Sequence, residues 1–204
     1  MIKTPTLSEE RHLWRQGYKL VCGVDEVGRG SFAGPVVTAA VIFQPEVVLP
    51  AGINDSKLLS AKKRLELDSQ IKQLALAWFI DLVDVPVINE LGIGQATQLS
   101  FINCVQGLKV QPDFILIDGL YISGIDKIKQ KAIIHGDQLS LSIAAASIIA
   151  KVYRDRLMED LAKQHPEFGW DKNKGYGTRA HREAMKQYGL SKQHRRSFSL
   201  EKFL

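Results

Sequence analysis

The sequence contains few cysteines and no long apolar run, and these absences narrow the class of protein. Only two of the 204 residues are cysteines, Cys22 and Cys104. Both lie in apolar surroundings, so we expect buried thiols in a reducing compartment rather than a disulfide. No uninterrupted apolar run approaches the length that spans a membrane, and residues 1–15 lack the apolar core of a signal peptide. The sequence therefore predicts a cytoplasmic protein without membrane contact.

The composition is that of an ordinary globular protein, but the charge is unevenly distributed. Hydrophobic residues make up 45% of the chain and charged residues 24%. Residues 172–196 contain eight lysines or arginines and a single acidic residue, Glu183. Such a segment suits a polyanionic partner, although many basic runs are only solvated helix faces. We expect a main domain over residues 1–166 and a basic helical extension, residues 167–204, packed on it.

One stretch, residues 21–35, combines a short apolar run with two acidic residues and a glycine-rich turn. Residues 21–24 predict a buried strand that runs into Asp25 and Glu26. Burying an ionised carboxylate is costly unless a metal, a cation or hydrogen bonds compensate it. Gly28 and Gly30 then allow the backbone to approach a ligand, while the arginine between them supplies a fixed charge. A solvated strand end followed by an ordinary turn is the alternative for this stretch taken alone.

The same turn formally matches a dinucleotide-binding fingerprint, with Gly28, Gly30 and Ala33 at the required spacing. That motif requires a helix immediately after the glycines. Residues 36–43 are instead a run of β-branched and other apolar residues, which predicts a second strand. Two carboxylates directly upstream would also repel a pyrophosphate. We therefore reject the dinucleotide interpretation.

Two further acidic residues follow predicted strands. Residues 114–117 form an apolar run that ends at Asp118, and a second apolar run, residues 131–134, leads to Asp137. Taken alone, Asp118 could be a turn residue and Asp137 a helix cap. In open α/β sheets, however, functional sites gather at the carboxyl ends of the strands. The repeated pattern favours a shared site for these acidic residues.

These acidic residues form a set of oxygen ligands, and the sequence shows no convergent cysteine and histidine spacing for zinc. Such a set favours Mg²⁺ or Mn²⁺. Two ions could stabilise the attacking and leaving oxygens of an in-line phosphoryl displacement. Adjacent strand residues point to opposite faces, so Glu26 can share a metal with Asp25 only if the strand ends or bends there, as the glycine turn allows. The candidate ligands are Asp25, Glu26, Asp118 and Asp137.

Several segments together resemble the ribonuclease HII family, from about residue 12 to residue 198. The resemblance rests on Gly-Val-Asp-Glu-Val-Gly-Arg-Gly at 23–30 with Ala-Gly-Pro at 33–35, Asp-Ser-Lys at 55–57, the helix segment 147–155, and Asn-Lys-Gly-Tyr-Gly-Thr at 173–178. Ser31 and Phe32 differ from the Pro-Leu pair common in the family but leave the glycines intact. The resemblance implies a ribonuclease H-like α/β fold, with a mixed sheet flanked by helices and a helical C-terminal extension.

The resemblance also implies an activity and a set of site residues. It implies a monomeric, metal-dependent endoribonuclease that hydrolyses the RNA strand of RNA–DNA hybrids and single ribonucleotides in duplex DNA, leaving 5′-phosphate and 3′-hydroxyl ends. This activity would serve ribonucleotide removal in DNA replication and repair. The four acidic residues would be catalytic and would bind two Mg²⁺ or Mn²⁺ ions. The residues implied in substrate binding are Gly28, Arg29, Gly30, Lys57, Ser147, Lys151 and Tyr176.

Within the resemblance, each substrate residue has a different expected role. The backbone around Arg29 would recognise the 2′-hydroxyl that distinguishes RNA from DNA, and Tyr176 would pack on the neighbouring sugar. Lys57 would contact a phosphate, whereas Ser147 and Lys151 lie on a small-residue helix that is mainly scaffold. Two other functions stay open: a non-catalytic duplex-binding module, and another metal-dependent nuclease of this fold, such as a junction resolvase or DNA endonuclease.

Overall fold

The structure is a computed structural model that describes residues 4–204. Within this range, no helix combines the length and apolar character needed to cross a membrane. The helices and strands are, in chain order, α1 (Ser8–Arg15), β1 (Val21–Val27), β2 (Val36–Ile42), α2 (Ala61–Leu74), β3 (Ala77–Val83), α3 (Val85–Gln106), β4 (Phe114–Asp118), β5 (Gln130–Ile133), α4 (Leu141–Gln164), α5 (Trp170–Asn173) and α6 (Arg179–Tyr188), with short 3₁₀ turns between some of them.

The five strands form one mixed sheet in the order β3-β2-β1-β4-β5. The central strand β1 is antiparallel to β2 and parallel to β4. Val24 lies opposite Ile117 in the parallel pair, so the next residue of each strand is an aspartate at the same edge of the sheet. The register of two apolar strands thus places Asp25 beside Asp118, and the predicted mixed sheet flanked by helices is confirmed.

Helices cover both faces of the sheet. The long helix α4 and α2 pack on one face, and α3 packs on the other. Side chains of β1 alternate between these layers: Cys22 and Val24 pack with Cys104 against α3. Both cysteines are buried free thiols, and burial raises the pKa of Cys22 to about 12. The prediction of buried, unpaired thiols is confirmed.

The N-terminal helix α1 is fastened to the start of α4 by a buried carboxylate. Glu10 accepts hydrogen bonds from Ser140 Oγ at 2.5 Å, Ser142 Oγ at 2.6 Å and the Ser142 N–H at 2.9 Å. The backbone of Thr6 also pairs with residues 139 and 141 on either side of Ser140. A carboxylate is favourable here because the first N–H groups of a helix carry partial positive charge.

Most element boundaries follow local sequence signals. Ser60 caps α2, since its hydroxyl accepts the Lys63 N–H. The backbone of Gly92, with φ 75° and ψ 155°, divides α3 into a shorter and a longer part. Helix α4 begins at residue 141 because Ser140 is its cap and residues 136–138 form a 3₁₀ turn. Asp137 therefore lies in that turn and not on the helix.

The C-terminal region packs against the second half of α4. Its apolar contacts join Phe168, Trp170 and Met185 to Met158 of α4. The last segment of the chain then runs back along the glycine-rich turn after β1, where His194 forms an antiparallel bridge with Ala33. This return brings residues from the end of the chain to within hydrogen-bonding distance of the turn between β1 and β2.

Candidate active site

Three carboxylates meet at the edge of the sheet. Asp25 comes from β1, Asp118 ends β4, and Asp137 lies in the 3₁₀ turn before α4; oxygens of all three lie within 4.8 Å of one another. Asp25 Oδ1 accepts the Glu26 N–H at 2.8 Å, and Asp118 Oδ1 accepts the Gly136 N–H at 2.7 Å. Backbone hydrogen bonds therefore fix two of the three carboxylates. We call these three residues the carboxylate cluster.

The carboxylate cluster is electrostatically unfavourable without a cation. Burial raises the pKa of Asp25 well above its usual range, and the charges of Glu26 and Asp118 raise it further. The pKa of Asp137 is also raised, chiefly by burial. Like charges held this close resist ionising together, and a divalent cation relieves that repulsion. An all-oxygen donor set of this kind is the type that hard divalent cations prefer.

Glu26 is set apart from the carboxylate cluster. It follows Asp25 directly on β1, so its side chain leaves the opposite side of the strand, and it is partly exposed. Its carboxylate lies near the cluster and has a raised pKa of about 7. Burial is the main cause, Arg29 partly opposes it, and the charge of Asp118 adds to it. The structure therefore places Glu26 beside the three aspartates but outside their close grouping.

Lys57 reaches the rim of the carboxylate cluster. Its Nζ lies 3.6 Å from Asp137 Oδ2 and 3.9 Å from Asp55 Oδ1, and 73% of the side chain is exposed. Asp55 is buried and accepts the Lys57 N–H at 3.0 Å, which fixes the short 3₁₀ turn that carries the lysine. Partial burial lowers the pKa of Lys57, but the neighbouring carboxylates outweigh it and raise the pKa overall. The ammonium group is free to meet an anionic ligand on its exposed side.

Ser147 of α4 lies beside the carboxylate cluster. Its hydroxyl interacts favourably with Asp25, which lowers the pKa of that carboxyl. Ser147 Oγ also lies 3.0 Å from Ser56 Oγ, and both serines are buried. Two hydrogen-bonded hydroxyls thus lie next to the carboxylate cluster. No local signal other than its place before Lys57 indicates this position for Ser56.

Lys151 lies in a separate ion-pair network. Its Nζ is 2.6 Å from Asp155 Oδ1, and Arg64 Nη2 is 3.5 Å from Asp155 Oδ2. Arg64 also donates to the carbonyl oxygen of Ser56 at 3.0 Å. Burial lowers the pKa of Lys151, although Asp155 opposes this. The network supports the turn that carries Lys57, so the structure places Lys151 behind the site rather than within the carboxylate cluster.

The two glycines of the turn after β1 differ in backbone conformation and in the space around them. Gly28 is buried and has φ +91°, and a Cβ at this position would overlap the guanidinium of Arg154. Gly30 has no positive φ, and a Cβ there would meet no atom within 4 Å. Gly28 is therefore required by the fold, whereas Gly30 leaves open space above the turn. Arg29 is exposed between them.

Arg154, on α4, donates hydrogen bonds to the glycine-rich turn and the residues that follow it. Its Nε donates to Pro35 O at 2.9 Å and its Nη1 to Lys174 O at 2.9 Å, while Nη2 donates to Ser31 Oγ at 2.7 Å and Ala33 O at 3.2 Å. The side chain is fully buried, and burial lowers its pKa. Among residues 4–204, no carboxylate oxygen lies within 4.0 Å of this guanidinium. Backbone carbonyls stabilise the charge instead.

A second buried arginine, Arg195, holds the other side of the same turn. Its Nε donates to Gly34 O and its Nη1 to Arg29 O, both at 2.9 Å. Burial and the nearby charge of Arg154 lower the pKa of Arg195 to about 9. In the sequence this residue belongs to the basic run of the C-terminal extension, but the structure buries it completely. Its role is to fix the turn, because its position leaves it no access to solvent.

Tyr176 lies next to the glycine-rich turn. The Gly175 carbonyl accepts the N–H groups of Phe32 at 2.8 Å and Ala33 at 3.2 Å, which joins the segment carrying the tyrosine to the turn. The Tyr176 ring lies 5.6 Å from Arg154 Cζ, and the residue is 37% exposed. The ring is thus held at one edge and open to solvent at another.

Two buried histidines, His181 and His194, lie close to the backbone of Tyr176. Trp170 Nε1 donates to His181 Nε2 at 3.1 Å, and His181 Nδ1 lies 2.9 Å from Tyr176 O. The two imidazoles meet at their Nε2 atoms, 3.1 Å apart, and the Ser191 N–H donates to His194 Nδ1 at 3.0 Å. A carbonyl can only accept and an N–H can only donate, so the tautomers are determined. His181 carries its proton on Nδ1, and His194 carries its proton on Nε2 and donates to His181.

Acid is expected to destabilise the protein through this histidine pair. Burial lowers the pKa of both imidazoles, and the nearby His181 helps lower that of His194 to about 4. An unfolded histidine takes up a proton below about pH 6.5, whereas burial opposes protonation of the folded pair, so stability is lost as the pH falls from about 6.5 towards 4. Urea unfolding at about pH 7.5 and about pH 5 should show a loss of about 2 kcal/mol from His194 alone.

The His194→Asn variant is the control for this pH dependence. The asparagine carbonyl can still accept the Ser191 N–H, but the side chain no longer titrates. The difference between the two pH values should therefore shrink by about 2 kcal/mol relative to the unsubstituted protein. Equal differences in both proteins would assign the acid sensitivity to other groups.

The fold and the carboxylate cluster together define the class of protein, a nuclease with the ribonuclease H fold. The structure is similar to that of the ribonuclease H2 from Pyrococcus horikoshii OT3, with a TM-score of 0.72 and 27% identity over 90% of this chain and 98% of that one. It is also similar in fold to Bst-RNase HIII in complex with Mn²⁺, with a TM-score of 0.69 and 20% identity, covering 91% of this chain and 68% of that one.

Sequence comparison identifies the particular family. The family model described as Ribonuclease HII matches residues 22–201. A ribonuclease HII from Desulfitobacterium hafniense (strain DSM 10664 / DCB-2) is 51% identical over 193 residues, which cover 95% of this chain and 74% of that protein. The chain belongs to the ribonuclease HII family and is a ribonuclease H enzyme. The resemblance seen in the sequence is confirmed.

Proposed function

We propose that this protein is a monomeric endoribonuclease that cleaves the RNA strand of RNA–DNA hybrids and single ribonucleotides embedded in duplex DNA. The observation that carries the proposal is the carboxylate cluster, with its oxygens within 4.8 Å, close to the glycine-rich turn. In the cell, the activity would serve ribonucleotide removal in DNA replication and repair. The products would carry 5′-phosphate and 3′-hydroxyl ends.

The carboxylate cluster would hold Mg²⁺ or Mn²⁺, with two ions during catalysis and Glu26 as an additional ligand beside the three aspartates. A bound divalent ion supplies positive charge for the phosphate oxygens and lowers the pKa of an attacking water. The protein contributes a prearranged ligand set. Asp25 is fixed by the Glu26 N–H, and Asp118 is fixed by the Gly136 N–H. This orientation reduces the reorganisation needed when an ion binds.

Selection of a ribonucleotide would depend on the glycine-rich turn. The open space at Gly30 supports a close approach of a sugar to the backbone, where N–H and C=O groups can pair with a 2′-hydroxyl. The exposed Arg29 would attract the adjacent phosphate, and the solvent-exposed edge of Tyr176 would pack on the neighbouring sugar. A deoxyribose lacks the hydroxyl and would leave these backbone groups unpaired.

Binding of the rest of the duplex would depend on exposed positive charge. Lys57 is exposed at the rim of the carboxylate cluster and would contact a phosphate. The C-terminal region adds exposed side chains at Lys172, Lys192 and Arg196. Contacts of this type are salt-dependent and carry no sequence information, as suits an enzyme that recognises a sugar rather than a base.

Cleavage of three matched duplexes tests the proposal: one with a single ribonucleotide, one RNA–DNA hybrid and one all-DNA control. We expect metal-dependent cleavage only where a ribonucleotide is present, and none in excess EDTA. Equal cleavage of the all-DNA duplex would instead support a DNA endonuclease of the same fold. Tight binding of all three without cleavage in Mg²⁺ or Mn²⁺ would support a duplex-binding module.

A further inference from the structure

We propose that His181 and His194 are positioning residues that hold Tyr176 against the glycine-rich turn and thereby set the affinity for a ribonucleotide. The inference rests on the proposed contact of Tyr176 with the substrate sugar. Neither histidine is exposed, so neither touches a ligand. They act through the backbone carbonyl of Tyr176 and through the antiparallel bridge between His194 and Ala33.

The first connection is the carbonyl of Tyr176. It accepts hydrogen bonds from His181 Nδ1 at 2.9 Å and from the Thr178 N–H at 2.7 Å. The N–H of Tyr176 donates to the Asn173 carbonyl at 2.9 Å. The peptide groups on both sides of the tyrosine are therefore fixed, and the imidazole is the only side chain among residues 4–204 that bonds to this carbonyl. Loss of that bond would release the peptide that orients the ring.

The second connection runs from His194 to the glycine-rich turn. The residues on either side of His194 pair with the turn: Gly34 N–H donates to Gln193 O at 2.9 Å, and Arg195 N–H donates to Phe32 O at 2.8 Å. The His194 side chain then donates to His181, which donates to Tyr176. A continuous set of hydrogen bonds thus joins the turn to the tyrosine through the last segment of the chain.

The alternative is that the two imidazoles only fill space in an aromatic cluster. His194 does pack edge-to-face on Phe168, with ring centroids 4.7 Å apart. Packing alone, however, does not require that every imidazole nitrogen have a partner, and here all four do. A purely structural role predicts lower stability without a selective effect on substrate affinity. A positioning role predicts an effect on KM that depends on the Tyr176 ring.

Two substitutions of His181 separate these roles. In His181→Asn, the amide nitrogen takes the place of Nδ1 and can still donate to Tyr176 O. In His181→Gln, the amide reaches the place of Nε2 and can accept from Trp170, but the donor to Tyr176 O is lost. For a duplex with one ribonucleotide, we expect His181→Gln to raise KM about tenfold with kcat within about twofold. His181→Asn should raise KM by less than about threefold.

A double substitution shows whether the effect passes through Tyr176. We expect His181→Gln to raise KM no further in a Tyr176→Ala background. Thermal unfolding of each variant establishes that it is folded at the assay temperature. If His181→Gln does not fold, His194→Asn replaces it in the same comparison, because it keeps the Ser191 hydrogen bond and removes only the donor to His181.

Every remaining outcome would contradict the inference, and the outcomes can be distinguished from one another. Equal increases of KM in both His181 variants, or an undiminished effect in the Tyr176→Ala background, would show a structural role only. An increase of KM in Tyr176→Ala without one in His181→Gln would refute the positioning role and leave the sugar contact intact. An unchanged KM in Tyr176→Ala would refute the sugar contact, and the positioning role with it.

Discussion

Replacing Asp118 by asparagine is expected to lower kcat by more than about 10³-fold while the protein stays folded. The amide oxygen can still accept the Gly136 N–H that Asp118 Oδ1 accepts at 2.7 Å, so the local backbone is retained. The variant loses one negative charge from a site in which three carboxylates lie within 4.8 Å. Without that charge the affinity for a divalent cation falls, and so does the stabilisation of charge that develops on the phosphate. Single-turnover cleavage of a ribonucleotide-containing duplex measures the effect.

The effect of Asp118→Asn on metal binding can also be measured without cleavage, from the thermal stability of the protein with and without the metal. Addition of Mg²⁺ or Mn²⁺ should raise the midpoint of thermal unfolding of the unsubstituted protein, because the ion binds only the folded state. We expect Asp118→Asn to lose most of this rise. The exposed residue Asp160, whose only ion pair among residues 4–204 is with Lys163, is a matched control: Asp160→Asn should retain activity and the metal response. Full activity in Asp118→Asn would refute the assignment of the carboxylate cluster.

Gly28→Ala is expected to have the largest effect on stability, about 3 kcal/mol or more. An alanine at φ +91° is strained, and its Cβ would overlap Arg154. The arginine cannot move aside cheaply because it is fully buried and holds four hydrogen bonds. For a protein of this size, we expect the midpoint of thermal unfolding to fall by roughly 6–12 °C.

Gly30→Ala is the matched comparison two residues away. Its Cβ would meet no atom within 4 Å, so we expect stability within about 0.5 kcal/mol of the unsubstituted protein. The methyl group would instead occupy the space proposed for the sugar and raise KM for a ribonucleotide-containing duplex. Similar stabilities for Gly28→Ala and Gly30→Ala would contradict the structural reason given for Gly28. An unchanged KM in Gly30→Ala would place the sugar elsewhere.

The carboxylate cluster could be predicted in part because it depends on local signals. Apolar runs that end in acidic residues mark strand exits, and parallel pairing then brings Asp25 and Asp118 together. For Asp137 the local signal has two interpretations, because a carboxylate before a helix is also an ordinary cap. The structure resolves this point, since Ser140 caps α4 and Asp137 lies in a separate turn.

The supports of the glycine-rich turn could not be predicted because they depend on packing between distant parts of the chain. Arg154 lies in a stretch of α4 that contains several other charged residues, so no local signal indicates that it is buried or that its partners lie 119–123 residues away. Arg195 and His194 lie in a segment whose composition indicates a basic surface. The antiparallel bridge to Ala33 and the hydrogen bonds of Arg195 to the turn hold this segment inward.

The attachment of α1 to α4 has a consequence for the order in which the protein can be completed during synthesis. Glu10 is made early, but its hydrogen-bond partners Ser140 and Ser142 are made more than a hundred residues later. A nascent chain that stops before Asp137 lacks both the third carboxylate and the helix start that α1 covers. Since domains acquire their stability from such long-range contacts, an incomplete chain has no anchored N-terminal helix. The nuclease site is therefore completed late in synthesis, after all five strands of the sheet have been made.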